Sequence, residues 1–349
     1  MSPNQRQTLV PVAIISAVLI AASHTAPVAA TEPKSHHVFD DGVGVYFLGK
    51  RDGAKAIVED GPNGFFDRLT LLDMAVRMGR DLNSNDVEAE RTRFKKFVSR
   101  NVREWTRAER KKLLATVKSA HRMCKDSLPE LLPDAWRFIK TSGDAEGAPH
   151  TRGSAVVLPA SQLAAGVSEH MLIHELFHLY SRVHPAKRLE LYKTLGFHEL
   201  PSVAVPPGLQ RKRITNPDGA DINYAITVSV GGRKVDVVPI VYSRYDQRRS
   251  NLKGLFAYVT FGLFEVRETN GEWSVAVDER GEPLPPLPPT VNGFFQQIGR
   301  NTQYIIHPDE ILADNVALLV TTSADKTAGR ITTPELLNRI KQIIQAGEP

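Results

Sequence analysis

The 349-residue chain has only one cysteine, Cys124. A single thiol excludes an intrachain disulfide framework and any metal site that is built from several cysteines. A large excess of one charge is also lacking, since 44 lysines and arginines accompany 39 aspartates and glutamates. The basic residues are scattered and are not interleaved with aromatic residues, so the sequence predicts no nucleic-acid partner.

The apolar run near the amino terminus is short. It extends from Leu9 to Ala22, whereas a helix that spans a bilayer needs about 20 apolar residues. Arg6 precedes the run, and small residues follow it as far as Ala30. This order predicts a secretory signal peptide over residues 1–30, and hence a periplasmic or secreted protein without stable membrane insertion after cleavage. An uncleaved membrane anchor is the alternative interpretation.

Hydrophobic periodicity divides the remaining chain into three parts. Residues 31–220 show mainly helical patterns, and residues 221–289 alternate like strands and end in a proline-rich linker. Residues 290–349 show helical patterns again. This order predicts an α+β fold, with a mainly helical N-terminal part and a β-rich insertion before a helical C-terminal part.

Four segments within this pattern carry the functional argument. Residues 131–139 follow Pro129, which favours a first helical turn, and they are predicted to form a helix. Residues 154–158 are a short apolar run that predicts a strand. Further helices are predicted over 169–183 and 308–319, because apolar residues there recur at helical spacing and a proline marks one end of each segment.

The segment 169–183 contains the pattern His174-Glu175-Leu176-Phe177-His178. Residues four apart lie one turn apart on the same helix face, so both imidazoles can reach one ion. Glu175 is turned by about 100° from the first histidine, which keeps it off the ion but near a water on that ion. The spacing therefore predicts a zinc site with His174 and His178 as ligands.

His184 is one candidate for the third protein ligand. The stretch from His174 to His184 matches the metzincin spacing H-E-x-x-H-x-x-G-x-x-H, except that Ser181 replaces the glycine. Metzincins also have a methionine turn below the metal, and no methionine follows His184 in this chain. A metzincin-like peptidase stays open as an alternative.

Glu310 is the other candidate, in the first turn of the helix that is predicted after Pro308. Asp314 follows four residues later on the same face, where a carboxylate could orient a ligating histidine through its other ring nitrogen. The pair resembles the E-x-x-x-D element of gluzincins, the thermolysin-like zinc peptidases. The resemblance implies a zincin-like catalytic domain, and it implies that the strand at 154–158 is an edge strand that pairs with extended substrate.

This resemblance implies a hydrolase that cleaves peptides or proteins with a zinc-activated water. Glu175 is then the general base. Tyr304 and His307 are candidates for stabilising the oxyanion, although His307 could equally cap the helix at Pro308. Two alternatives remain: a catalytically inactive protein that binds zinc for structure or binds a partner, and a zinc-free binding protein with its pocket in the β-rich part.

Overall fold

Two five-stranded sheets and eleven α-helices make up residues 35–61, 64–324 and 331–346, the part of the chain that a computed structural model describes. The signal peptide that we predict at residues 1–30 lies outside these residues. The strands are β1 (His37–Val38), β2 (Gly44–Leu48), β3 (Ala135–Thr141), β4 (His150–Arg152), β5 (Ala155–Pro159), β6 (Phe197–Glu199), β7 (Tyr224–Val230), β8 (Arg233–Ser243), β9 (Val259–Thr269) and β10 (Glu272–Val275). The helices are α1 (Lys50–Ala56), α2 (Leu71–Met78), α3 (Val87–Arg100), α4 (Arg107–Ser127), α5 (Ala160–Ala165), α6 (Glu169–Val183), α7 (Pro185–Thr194), α8 (Pro207–Gln210), α9 (Phe294–Ile298), α10 (Pro308–Ala324) and α11 (Pro334–Gln345).

These elements confirm the α+β fold class. The described residues belong to one compact unit. The largest of four hydrophobic clusters joins both sheets and the helices, and it includes Val156 of β5, Leu176 of α6, Ile226 of β7 and Ile311 of α10. Among the helices described, none combines the length and the apolar composition that crossing a bilayer requires.

The first sheet has the strand order β1-β2-β3-β5-β4, with β2, β3 and β5 parallel and an antiparallel strand at each edge. The helix predicted at 131–139 was wrong, because this segment forms the central strand β3. Pro129 begins only a single 3-10 turn. Six of the seven residues of β3 are buried, Trp136 and Phe138 among them. A short run buried on both faces carries no alternation that could distinguish it from a buried helix.

The predicted strand at 154–158 is confirmed as β5, but its predicted position at the sheet edge was wrong. A tight turn at Gly153, whose φ is +53°, folds β4 back against β5, so Thr151 pairs with Val156. The exposed edge that substrate would need is therefore covered. The backbone N–H of Thr151 in β4 is itself bound by the carboxylate of Asp218 at 2.6 Å.

The second sheet is an antiparallel meander in the order β10-β9-β8-β7-β6. Four of its strands lie within residues 221–289, which confirms the strand pattern predicted there. Asn270 and Gly271, with φ of +53° and +84°, form the two-residue turn between β9 and β10, a turn that favours these residue types. The proline-rich stretch after β10 runs along β9, where Leu287 pairs with Leu263.

Acid should destabilise the fold through His150 of β4. This residue is buried, its ring Nδ1 lies 3.0 Å from the carbonyl oxygen of Ala148, and burial together with the charge of Arg152 lowers its pKa to about 3. Because the imidazole of the unfolded chain titrates near 6.5, stability is lost as the pH falls below that value. Denaturant unfolding at pH 7 and pH 5 should show a loss that is about 2 kcal/mol smaller in His150→Asn than in wild type.

His198→Asn is the matched control, since the His198 imidazole is 41% exposed. This variant should keep the pH dependence of the wild type. An equal loss of stability in wild type and His150→Asn would show that the buried imidazole does not set the acid limit.

Candidate metal centre

Helix α6 presents the His-Glu-x-x-His pattern toward α10. Its start is set by Ser168, whose side chain accepts the backbone N–H of Met171, as an N-cap does. Its end lies at Val183, since Pro185 begins the next helix. Both helices contribute apolar side chains to the largest hydrophobic cluster, namely Leu172, Ile173, Leu176 and Phe177 from α6 and Ile311, Leu312, Ala313 and Val316 from α10. This packing brings the two polar faces together.

His174, His178 and Glu310 converge at the contact between these helices. Oε2 of Glu310 lies 3.2 Å from Nε2 of His174 and 3.4 Å from Nε2 of His178. The two Nε2 atoms lie 3.2 Å apart. Donors that surround a tetrahedral ion at 2.0–2.1 Å are separated by about 3.4 Å. The three residues therefore form a possible metal-binding group whose spacing fits one small cation.

A carboxylate holds the other ring nitrogen of each histidine, the partly buried Asp314 for His174 and the buried Asp309 for His178. Asp314 lies where the sequence predicts it, with Oδ1 at 3.0 Å from Nδ1 of His174, and its second oxygen accepts the hydroxyl of Thr302. Oδ2 of Asp309 lies 2.8 Å from Nδ1 of His178. With Nδ1 engaged in this way, each ring directs Nε2 at Glu310, which is the tautomer that a metal ligand needs.

Sequence reasoning missed Asp309, although it is the residue before Glu310. Its Oδ1 accepts the hydroxyl groups of Ser181 at 2.6 Å and Tyr192 at 2.9 Å. Ser181 therefore has a role of its own in α6, where the metzincin pattern would have a glycine. A serine in place of the metzincin glycine was the local sequence feature that could have indicated a polar partner close to His178.

The charges within the cluster are strongly coupled. Burial alone would lower the pKa of His174, but hydrogen bonds to Asp314 and Glu310 outweigh it and raise the pKa to about 9. Burial would raise the pKa of Glu310, yet the two imidazoles hold it well below its ordinary value. Carboxylates thus stabilise positive charge at this point of the fold, and a divalent cation would replace the protons there.

Glu175 lies beside this group rather than in it. Its side chain is buried, and Oε2 has no hydrogen-bond partner among the described residues. Burial raises its pKa to about 8, with a smaller contribution from the charge of Asp218. Glu175, His178 and Asp218 form a second group, in which one donor atom from each residue lies within 4.8 Å of the others.

Asp218 is the second residue that sequence reasoning missed. It belongs to the loop 215–219, far along the chain from both helices and without a recognisable motif. Asn216 of the same loop donates from Nδ2 to Oε1 of Glu310 at 2.8 Å. The loop thereby contacts both the ligand group and the Glu175 side of the site.

The remaining predicted residues lie in three different places. Tyr304 packs its ring over His174, with centroids 5.8 Å apart, and is 43% exposed. His307 is buried, and its Nδ1 accepts the backbone N–H of Asp309 at 3.1 Å, which is the capping geometry. His184 ends α6 with its ring 4.5 Å from that of Tyr180. The metal-competent groups found among the described residues do not include His184.

Comparison with known proteins adds no relative. No protein-family model, curated protein or solved structure matches the chain. Function therefore has to be inferred from the geometry of the site.

Asp314 should matter for metal affinity although it does not reach the donor group. We expect Asp314→Asn to weaken zinc binding by about 10- to 100-fold, because the amide no longer fixes the orientation and basicity of His174. Competition with a chromogenic chelator measures this affinity.

Asp41→Asn is the matched control, since Asp41 makes a similar contact with His121 at 2.9 Å outside the site. That variant should bind zinc like wild type. Unchanged affinity in Asp314→Asn would remove the proposed link between this carboxylate and the metal site.

Proposed function

We propose that the protein is an exported, zinc-dependent peptidase with a zincin-like catalytic domain of the gluzincin type. The observation that carries this proposal is the convergence of the donor atoms of His174, His178 and Glu310 at separations of 3.2–3.4 Å. Two imidazoles and one carboxylate from two helices are the ligand set of catalytic zinc sites of the thermolysin type. Asp314, one turn after Glu310, supports the same assignment.

The donor set favours zinc over harder cations. Magnesium and calcium prefer six or more oxygen ligands, whereas two of the three donors here are neutral nitrogens. Three protein ligands also leave room for a water or a substrate oxygen, as catalytic sites require. Zinc bound by these residues would supply a Lewis acid and a water of lowered pKa.

Glu175 is the proposed general base. Its carboxyl lies next to the ligand group, and its unpartnered Oε2 costs stability because it is buried. A carboxyl placed in this way accepts a proton from the attacking water and returns it to the leaving amine.

Tyr304 is the proposed donor to the oxyanion. The ring covers His174 and remains partly exposed, so its hydroxyl can meet a substrate that enters from solvent. His307 is less suited to this role, because its Nδ1 caps α10 and its ring packs against Gly219.

A purely structural zinc site is the alternative from another functional class. Such a site closes all four positions around the metal and needs no acid beside it. The buried oxygen of Glu175 without a partner is a cost that a structural site would not explain. The metzincin alternative loses support because His184 stands apart from the ligand group.

Glu175→Gln should abolish hydrolysis while the protein still binds one zinc. We expect kcat to fall by about 10²- to 10⁴-fold, since the amide cannot accept the proton. A broad protein substrate such as casein, assayed with and without chelator, measures the activity, and metal analysis measures the zinc.

Glu169→Gln, in the first turn of the same helix, is the control and should leave both quantities unchanged. Full activity in Glu175→Gln would disprove the assignment of the base. Loss of the folded state on chelation, without activity at any metal content, would favour the structural alternative.

A further inference from the structure

Glu175 and Asp218 place two carboxyl groups within 4.8 Å of each other beside the ligand group. Glu175 is 4% exposed and its Oε2 has no partner among the described residues. Asp218 accepts the backbone N–H and the hydroxyl of Thr151 through Oδ1, at 2.6 and 2.7 Å. Its Oδ2 receives no hydrogen bond from the described residues. Two carboxyl groups this close favour a positively charged group beside the free oxygen of Asp218.

A second metal ion does not fit between Glu175 and Asp218. His178 is the only nitrogen ligand in the second group, and its Nδ1 is engaged by Asp309. The remaining Nε2 is the atom that faces His174 and Glu310, and one imidazole nitrogen does not bind two ions. Arg152 is also not the partner, because its guanidinium donates to the carbonyls of Thr151 and Pro217 and to Glu146.

A cavity of about 70 Å³ lies beside Asp218, which is one of its lining residues, whereas Glu175 is not. Asn216, Asp218 and Tyr304 form its polar wall toward the metal centre. Most of the other lining residues are apolar, among them Ile214, Val241, Leu255, Val259 and Ile306, and the polar residues His150 and Thr215 also line the cavity. Arg77 and Glu146 also line it, but they form an ion pair with each other. One water takes up about 10–15 Å³ of such a cavity, so the cavity accommodates one side chain but not a length of peptide.

We propose that this site binds the free amino terminus of a peptide, so that Asp218 accepts the terminal ammonium group and the cavity takes an apolar first side chain. The inference rests on the proposed peptidase function and assigns it to an aminopeptidase. The water oxygen bonds to the carbonyl carbon of the first residue, the C–N bond breaks, and Glu175 returns the proton to the leaving amine.

Hydrogen bonds fix the loop 215–219, which carries Asp218. The backbone N–H of Thr215 donates to Asp73 at 2.8 Å, and Arg77 donates to the Thr215 carbonyl at 2.6 Å. At the other end, Thr151 fixes Asp218. A carboxylate held on both sides loses little entropy when it binds an ammonium group, which favours tight recognition of a small substrate.

The test compares the zinc-loaded wild type on L-leucine 7-amido-4-methylcoumarin and on the same compound with an acetylated amino group. We expect kcat/KM to be at least about 30-fold higher for the free amine, because acetylation removes the charge that Asp218 binds. Equal rates on the two compounds would overturn the inference while leaving the peptidase function standing. No cleavage of either compound or of casein would overturn both.

Asp218→Asn tests the residue directly, since the amide keeps an oxygen for Thr151 but loses the charge. We expect KM for the free amine to rise by about 30-fold or more, with kcat less affected and zinc content unchanged. Asp221→Asn, three residues further and paired with Arg213, is the matched control and should behave like wild type. An equal loss of kcat/KM on the free and the acetylated compound, or no change on either, would contradict the role of Asp218.

A binding measurement keeps the inference testable if Asp218→Asn does not fold. L-Leucinamide should inhibit the wild type competitively, whereas N-acetyl-L-leucinamide should inhibit it at least about 30-fold more weakly. Equal inhibition by the two amides would show that the amino group is not recognised.

Discussion

The contact between α6 and α10 is the interaction on which the site depends. Each helix alone offers an incomplete set of donors, with two imidazoles on α6 and one carboxylate on α10. Their apolar faces lie in one core, and each buried leucine or isoleucine there contributes about 1.5–3 kcal/mol. That packing offsets the cost of burying His178 and Glu310, each of which is 1% exposed. The hydrophobic core thus supplies the free energy that holds a polar cluster together.

Hydrogen bonds around the cluster determine what it can do. Asp314 and Asp309 each hold one imidazole, and Asn216 holds the outer oxygen of Glu310. These hydrogen bonds fix the side chains, so that Nε2 of His174, Nε2 of His178 and Oε2 of Glu310 stay directed at one another. The carboxyl of Glu175 is the exception, because its Oε2 has been left without a partner in a buried position. Glu175 thereby differs from Asp309, Asp314 and Glu310, whose carboxylate oxygens all have partners, and this makes it the candidate for a reactive group.

Local patterns predicted the site better than they predicted its surroundings. The spacing of His174 and His178, and the four-residue step from Glu310 to Asp314, follow from the pitch of a helix, so they were readable from the sequence. Asp218 contacts Thr151 across 67 residues of chain, and no periodicity encodes such a pair. The same limit explains β3, which is buried on both faces and therefore shows no alternation. The edge position was mispredicted because β4, which covers β5 through the tight turn at Gly153, is only three residues long and buried throughout, so it shows no alternation.

The segment between α6 and α10 contributes to the surroundings of the candidate site in a way that its position in the sequence does not reveal. Val241 of β8 and Val259 of β9 line the cavity beside Asp218, together with Leu255 from the connection between these strands. The meander therefore does more than brace α6 and α10, since it supplies part of the surface that a substrate side chain would meet. In the proposed peptidase, α6 and α10 would supply the chemistry and the meander would shape the space beside it. Substitutions at these three positions would then alter the choice of substrate while leaving the metal ligands untouched.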